Sequence, residues 1–349
     1  MRVEFDLLSA RLRAPFVSAS GALGDRPLVL VRVHGSDGRV GLGEAAPLPD
    51  YHGVNVEDVL EALAAARVTL AGAAPGTPAR ESLAEWTRMA PAPALAAIDL
   101  ALWDLEGRLT GQPVWRLLGA TSAEPVEVNA TIAAADRAGA ASAAAAARAA
   151  GFGCVKAKVG IGDDAGRLAA VRAVLGPDVT LRLDANGAWS VEQAIAALRA
   201  LAPVGIELCE EPVHGLAQNR AVAAALPDVA TALDESAGAA EALDDRVCRA
   251  VCLKIAACGG ITGVLDAARR ARTAGYEVYL ASTLDGPLGI AAALHVAAAV
   301  KPDRPCGLAT LGLFEGREDP LPARDGRIAG PGGTGLGDGL VDWYGNFVT

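Results

Sequence analysis

The segment that decides the fold reads CVKAKVG from Cys154 to Gly160, followed by DDAGRLAAVRAVLG (163–176) and VTLRLDAN (179–186). A short apolar run, a helical pattern and a second short apolar run follow one another, and this alternation continues to about residue 300. Strands that alternate with helices predict βαβ units and a parallel sheet. Seven or eight such units without a G-x-G-x-x-G motif favour a closed α/β barrel over a doubly wound sheet.

The residues before this alternation predict a different architecture. LVLVRVHG (28–35) and VGLGEAAP (40–47) are typical of a β-hairpin, and helical patterns follow at 55–72 and 92–110. We therefore predict an α+β domain over residues 1–118 and a (β/α)7β barrel over 119–315. The remainder, 316–349, is rich in Gly and Pro, and we expect it to pack back on the first domain.

Composition limits the classes of function. The 349-residue chain carries a net charge of −10, which argues against nucleic acid or an anionic membrane as a partner. The N-terminus lacks the apolar core of a secretory signal, and the Ala-rich runs are interrupted by charges, so no membrane span is expected. The six cysteines lack C-x-x-C or zinc spacing, which indicates buried thiols in a reducing cytoplasm.

Charged residues end several of the apolar runs. Successive positions lie 20–26 residues apart, about one βα unit, and they are Asp184, Glu210, Asp234 and Lys254. The carboxyl ends of barrel strands meet at one rim, so these side chains should converge. Three clustered carboxylates repel one another unless a cation is present, and oxygen ligands suit Mg²⁺. Lys156 and Lys158 share one face of their strand and should point into the same mouth.

Each of these residues also has a simpler explanation. A single Asp at a strand end commonly caps the following helix, and a single Lys there is commonly a solvated rim residue. However, these explanations treat each residue separately. They do not account for the ordered set of K-x-K, D, E, D and K on successive units, which favours a shared function.

The sequence resembles the enolase superfamily and, within it, the muconate-lactonising subgroup. The matching barrel stretches are VKAKVG, LRLDANGAW, CEEP, LDES and LKIAACGGI, and GLGEAAPLP with AAIDLALWDLEGRLTGQPVWRLLG resembles the family's capping domain. The resemblance implies Mg²⁺, with Mn²⁺ as an alternative, bound by Asp184, Glu210 and Asp234. It also implies removal of a proton α to a carboxylate to give an enediolate.

The resemblance assigns roles to the lysines. Lys158 would be the general base, Lys156 would lower the pKa of its neighbour, and Lys254 would face the opposite side of the substrate. The residues adjacent to the metal ligands, which would orient them without binding the metal directly, would be Asn186, Glu211 and Glu235. Two positions depart from the family pattern: Glu211 stands where Gln is common, which leaves open which glutamate binds the metal, and IAA follows Lys254 where Pro is common.

The stretches YLASTLDGPLGIAAALHVAAAV (279–300) and CGLATLGLF (306–314) most resemble o-succinylbenzoate synthases. That resemblance predicts a hydro-lyase that dehydrates a cyclohexadiene carboxylate (SHCHC) in menaquinone biosynthesis. Loops at 14–25 and 47–54, the latter with Tyr51 and His52, would close over the substrate. The predicted substrate-binding residues are Ser282, Thr283, Asp285, Gly307 and Tyr51.

Other functions remain open at this stage. A dipeptide epimerase or N-succinylamino acid racemase of the same superfamily would use Lys158 and Lys254 as paired bases, although epimerases commonly have an Asp-x-Asp motif where only Asp285 is present. An inactive barrel that binds a ligand and an aldolase with Lys254 as Schiff base are further alternatives. Each enzymatic alternative has a small-molecule substrate, and for the alternatives within the enolase superfamily that substrate is a carboxylate. The sequence selects no oligomeric state, although relatives form homo-oligomers.

Overall fold

The computed structural model describes residues 1–19, 21–71, 73 and 81–345. Its N-terminal part, here called the cap, begins with an antiparallel sheet of order β1-β2-β3, comprising β1 (Arg2–Ser18), β2 (Gly21–His34) and β3 (Val40–Ala45). The register of β1 on β2 shifts once, between Arg11 and Phe16. The predicted hairpin is therefore formed by β2 and β3, and a longer hairpin precedes it.

The cap also contains the helices α1 (Pro49–His52), α2 (Val56–Leu70), α3 (Ala92–Thr110) and α4 (Val114–Leu117). Of these, α2 packs on β1, and α3 packs on β2 and β3. Asn55 and Asp58 form a capping box at the start of α2, and left-handed Gly111 ends α3. Helix α3 packs directly on β3, because a Cβ atom at Gly43 would lie only 2.0 Å from the carbonyl oxygen of Ala97.

The rest of the chain forms a curled parallel sheet of seven strands in sequential order, here called the barrel. Its strands are β5 (Ala130–Ile132), β6 (Cys154–Lys158), β7 (Thr180–Asp184), β8 (Ile206–Glu210), β9 (Thr231–Leu233), β10 (Ala250–Leu253) and β11 (Glu277–Leu280). Its helices are α5 (Arg137–Ala149), α6 (Asp164–Leu175), α7 (Val191–Leu201), α8 (Leu216–Ala225), α9 (Ile255–Cys258), α10 (Ile261–Thr273) and α11 (Pro287–Val300). The predicted fold class, an α/β barrel with an N-terminal α+β cap, is confirmed.

A segment too short to be assigned as a strand joins the two edges of the curled sheet. Cys306 forms a parallel bridge with Val128, and the adjacent Gly307 forms one with Ala281 at the end of β11. The amide of Asn129 donates to the carbonyl of Cys306 at 2.9 Å, and the amide of Gly307 donates to the carbonyl of Leu280 at 2.8 Å. This segment occupies the eighth strand position.

The C-terminal segment returns to both parts of the molecule. Strand β12 (Arg327–Ile328) pairs with β4 (Val126–Glu127) at the barrel. Leu336 donates its amide to Asp104 of the cap at 2.7 Å, and the hydroxyl of Tyr344 donates to Glu44. The domain limits given above stay a prediction.

The stretch 14–25, predicted to be a closing loop, is instead the end of β1, the tip of a hairpin and the start of β2. Ser20 lies outside the described residues. Extended pairing over this stretch was missed because its sequence contains several Gly and Ser residues. Within the described ranges no helix is both long and apolar enough to cross a bilayer.

Candidate active site

The two lysines of CVKAK both lie in the barrel mouth, because alternate residues of a strand point to one face. Lys156 Nζ lies 2.8 Å from Glu210 Oε2 and 3.0 Å from Asp184 Oδ2, so its ammonium group bridges two neighbouring strand ends. Burial alone would lower the pKa of Lys156, but the two carboxylates raise it well above the usual range. Lys156 is therefore a charged lysine.

Lys158, at the end of β6, forms hydrogen bonds with residues at and just after the end of the adjacent strand β7. Its Nζ atom donates to Asp184 Oδ2 at 2.8 Å and to Asn186 Oδ1 at 2.6 Å. The ring centroid of Phe16, from the cap, lies 5.5 Å from the same nitrogen. Burial opposes ionisation of Asp184, but the two lysines together lower its pKa well below the ordinary value.

The third lysine comes from the opposite side of the mouth. Lys254 follows β10, which lies four positions from β6, with three strands between them, and four positions are half of the eight around the barrel. Its Nζ atom donates to Asp234 Oδ2 at 2.8 Å and lies 3.8 Å from the ring centroid of Tyr51. The hydroxyl of Tyr51 donates to Asp234 Oδ1 at 2.7 Å. The cap therefore contributes directly to this side of the site.

Glu211 shapes the loop that carries Asp234. Its carboxylate accepts hydrogen bonds from the amide of Asp234 at 2.8 Å, from the amide of Ser236 at 3.1 Å and from the hydroxyl of Ser236. Burial raises the pKa of Glu211 to about 7. With both of its oxygens occupied by the loop, Glu211 is less suited than Glu210 to bind a metal ion.

Glu235 and Asn186 connect the two sides of the site. Asn186 receives a hydrogen bond from Lys158 and donates one of 2.9 Å to Glu235 Oε1. The other carboxylate oxygen of Glu235 is buried and has no hydrogen-bond partner among the described residues. Burial, followed by the charge of Asp234, raises the pKa of Glu235 to about 8.

A cavity lies between the barrel mouth and the cap. Four of the five predicted substrate-binding residues line it, namely Tyr51, Ser282, Thr283 and Gly307. Asp285 lies behind the wall instead: it is 2% exposed, accepts a hydrogen bond of 2.5 Å from the Thr283 hydroxyl, and faces the buried Arg26. Asp285 precedes α11, and the charge of Arg26 in the cap and, more weakly, that of Lys254 in the mouth act on its carboxylate.

Both stretches predicted to close over the substrate contribute to the cavity wall, 14–25 with Phe16, Ser18, Gly21, Ala22 and Leu23, and 47–54 with Leu48, Asp50 and Tyr51. Sequence reasoning did not name three further wall residues, which are Thr131, Leu284 and Thr310. Thr131 and Thr310 could have been found, because each is a polar residue close to the end of a predicted strand or strand-like run. For the hairpin, the stretch was predicted but its individual lining residues were not, because nothing in their local pattern indicates which side chains face the barrel.

The acids fit a hard divalent cation. Ligand atoms of Glu210, Asp234 and Cys252 lie within 4.8 Å of one another. Mg²⁺ takes carboxylate oxygens and not thiols, so the two carboxylates are the relevant donors. Asp184 is connected to this group through Lys156, which contacts both Asp184 and Glu210. The donor chemistry is therefore that of a magnesium site.

Fold and site together define a barrel enzyme in which lysines and carboxylates surround one cavity under an N-terminal cap. Residues 3–119 match the mandelate racemase/muconate lactonizing enzyme N-terminal domain, and residues 139–341 match the enolase C-terminal domain-like family. The chain belongs to the mandelate racemase/muconate lactonizing enzyme group of the enolase superfamily.

Three relatives illustrate the similarity. The D-Ala-D/L-Ala epimerase of Cytophaga hutchinsonii is 30% identical over 85% of this chain and 83% of its own length. The substrate-liganded L-Ala-D/L-Glu epimerase of Bacillus subtilis superimposes with a TM-score of 0.88 at 28% identity, covering 97% of this chain and 98% of that one. The N-succinyl-L-Arg/Lys racemase of Bacillus cereus is 28% identical over 82% of this chain and 80% of its own length.

These comparisons refine the predicted reaction. The named relatives are epimerases and a racemase, so they favour the isomerase alternative over the predicted o-succinylbenzoate synthase. A dipeptide epimerase of Cytophaga hutchinsonii has been solved with Mg and the dipeptide D-Ala-L-Val, with a TM-score of 0.85, 28% identity and 98% coverage of both chains. That relative binds both the metal and a small carboxylate.

Proposed function

We propose that the protein is a Mg²⁺-dependent racemase or epimerase that inverts the α-carbon of an amino acid whose nitrogen is acylated. The observation that carries the proposal is the arrangement of Lys158 and Lys254, which line one cavity from opposite sides of the barrel. The named relatives support it, because a dipeptide and an N-succinylamino acid both contain an acylated α-nitrogen next to a carboxylate.

The two lysines would act as an acid–base pair. One amine removes the α-proton from one face of the substrate, and the ammonium group on the opposite side delivers a proton to the other face. Inversion by this route requires a base on one face and a proton donor on the other, whereas a dehydration requires only one base and a departing hydroxyl. Asn186 and Asp184 orient Lys158, and Asp234 orients Lys254.

Asp184, Glu210 and Asp234 would hold the metal ion. When bound, Mg²⁺ would stabilise the negative charge that develops on the substrate carboxylate as the α-proton leaves. Lys156 stays charged beside Asp184 and Glu210, which compensates the negative charge of this group of acids.

The cavity wall favours an N-acylamino acid without a free α-ammonium group over a dipeptide. Asp285, the acid at the position where epimerases commonly have an Asp-x-Asp motif, lies behind the wall. Asp50 of the cap lines the cavity on its other side. The hairpin side of the cavity consists of uncharged residues, namely Phe16, Ser18, Gly21, Ala22 and Leu23. We therefore favour a substrate whose side chain is uncharged where it meets this hairpin.

The test is a substrate panel assayed in deuterium oxide with Mg²⁺. N-succinyl- and N-acetylamino acids, dipeptides and SHCHC are incubated separately with the purified protein, and products are followed by chiral chromatography and mass spectrometry. We expect interconversion of enantiomers or epimers with deuterium at the α-carbon. Conversion of SHCHC to o-succinylbenzoate without any inversion would establish the hydro-lyase instead, and inactivation by borohydride with a carbonyl substrate would indicate a Schiff-base enzyme.

A further inference from the structure

Arg26 of β2 is fully buried and its guanidinium group binds backbone carbonyls from two separate segments. Nε donates to the carbonyl of Thr283 at 3.0 Å, and Nη2 donates to the carbonyl of Ala46 at 2.7 Å. Nη1 donates to the carbonyl of Pro47. One side chain of the cap therefore connects the barrel loop after β11 to the cap segment that follows β3.

Both connected segments form walls of the cavity. The segment after Pro47 contributes Leu48 and Tyr51, and the barrel loop contributes Ser282 and Thr283. Arg26 is not among the residues that line the cavity, and it contacts the two walls through their backbone carbonyls. Its remaining carbonyl partner is the adjacent Pro27, at 3.5 Å. Hydrogen bonds from a single planar group thus connect the two walls.

Two buried carboxylates compensate the charge of Arg26. Burial lowers its pKa to about 10, and the neighbouring Asp285 and Glu44 oppose that effect. Glu44 also accepts a hydrogen bond of 2.8 Å from the amide of Gly286, and the hydroxyl of Tyr344 donates to its other oxygen. Asp285 accepts from Thr283. These contacts fix the barrel loop from both of its ends.

We infer that Arg26 is a positioning residue that sets the width of the substrate cavity by holding the cap segment 46–51 against the barrel loop 282–285. This inference rests on the proposed function, since it concerns how that substrate is bound. Lysine cannot replace arginine here, because an ammonium group presents one compact charge and cannot reach three carbonyls in a fixed plane. The lysines and acids of the site belong to other strand ends that Arg26 does not contact.

The test compares Arg26→Lys and Arg26→Ala with a matched control. Arg172 likewise binds four backbone carbonyls, but at the opposite end of the barrel, so Arg172→Lys reports the general effect of losing such an arginine. We expect both Arg26 variants to raise KM about tenfold or more while kcat changes by only a few-fold, because misplaced binding groups weaken substrate capture. Arg172→Lys should leave KM unchanged.

Rescue distinguishes positioning from a general loss of stability. Guanidinium chloride at millimolar concentration should restore the KM of Arg26→Ala, where it can occupy the vacated position, and should not restore that of Arg26→Lys. Reduced thermal stability with wild-type KM in a folded Arg26 variant would overturn the inference.

A second measurement is independent of the assigned reaction. Amide hydrogen exchange should accelerate in segments 46–52 and 282–285 of Arg26→Lys, but not in those segments of Arg172→Lys. If the wild-type protein inverts no compound of the panel, the proposed function fails and this exchange result still decides the inference. Unchanged exchange in both segments would contradict it.

Discussion

The phenolic hydroxyl of Tyr51 donates a hydrogen bond of 2.7 Å to Asp234 Oδ1, which joins the cap to an acid at the barrel mouth. Tyr51 lies in the short helix α1, which begins with Pro49 and ends at the left-handed Gly53. The same ring contacts the ammonium group of Lys254. One cap residue thus touches both an expected metal ligand and an expected catalytic lysine.

Tyr51→Phe should separate these two contacts. The variant keeps the ring against Lys254 and loses the hydrogen bond to a charged acceptor, a type of bond that contributes about 1.5–3 kcal/mol. We expect kcat/KM for the active N-acylamino acid to fall about tenfold or more, and Tyr51→Ala to have a larger effect. Equal activity of Tyr51→Phe and the wild type in steady-state assays would show that the bond to Asp234 has no role in catalysis.

Removal of one carboxylate should weaken metal binding. Glu210→Gln replaces a charged donor with a neutral one, so Mg²⁺ affinity measured by isothermal titration calorimetry should fall by more than about tenfold. Exposed Glu192 provides the control, because Glu192→Gln changes the net charge equally without touching the site. Chelation by EDTA should abolish inversion in the wild type, and added Mg²⁺ should restore it. Similar affinities for the two variants would contradict the assignment.

His295 should make stability depend on pH. It is 1% exposed, its Nδ1 accepts from the amide of Trp115 at 3.2 Å, and its Nε2 lies 3.1 Å from the carbonyl of Leu336. Burial lowers the pKa of His295 from 6.5 to about 4. The unfolded chain therefore binds a proton at higher pH than the folded one, so this stability is complete above about pH 6.5 and is lost as the pH falls toward 4.

Urea unfolding at pH 7 and pH 5 measures this effect. Between pH 7 and pH 5, the unfolding free energy of the wild type should fall by about 2 kcal/mol more than that of His295→Gln. The difference is smaller than the full pKa shift implies, because only part of the range between the two pKa values of His295 lies between pH 7 and pH 5. The comparison isolates His295 from buried acids such as Glu44, whose pKa is raised to about 8. Identical pH dependence in the two proteins would refute the prediction.

Close contact between β3 and α3 should make Gly43 sensitive to substitution. A methyl group at Gly43 would lie 2.0 Å from the carbonyl oxygen of Ala97, and backbone on both sides leaves little room for adjustment. Gly43→Ala should lower the unfolding free energy by about 1–3 kcal/mol. Gly24→Ala is the control, because a Cβ atom added there would have no atom of the described residues within 4 Å. Equal stabilities in thermal denaturation would contradict this packing.

The sequence predicted the barrel and the convergence of charged residues because both depend on local patterns. Strand-length apolar runs ending in Asp184, Glu210 and Lys254 indicate where each side chain emerges, and the alternation of a strand aligns Lys156 with Lys158. The eighth strand position was harder to foresee. Cys306 and Gly307 form only isolated bridges, too few residues to give a periodic pattern.

Side-chain environment explains what could not be foreseen at the cavity wall. Asp285 was predicted to bind substrate, but only the folded structure shows that the buried Arg26, from a distant part of the chain, lies near it. Arg26 was not identified, because only the folded structure brings Ala46, Pro47 and Thr283 around it. The choice of reaction likewise depends on wall positions that local sequence does not determine, whereas the lysines and acids are common to every reaction considered.

Solvent deuterium exchange by the two single-lysine variants tests the central claim most directly. Each enantiomer of an active N-succinylamino acid is incubated in deuterium oxide with Mg²⁺ and either Lys158→Ala or Lys254→Ala, and α-deuterium and inversion are both measured. We predict that each variant still exchanges the α-proton of one enantiomer and that the two variants act on opposite enantiomers. Neither variant should invert its substrate. Inversion at the wild-type rate by either variant would contradict an account in which two lysines act on opposite faces.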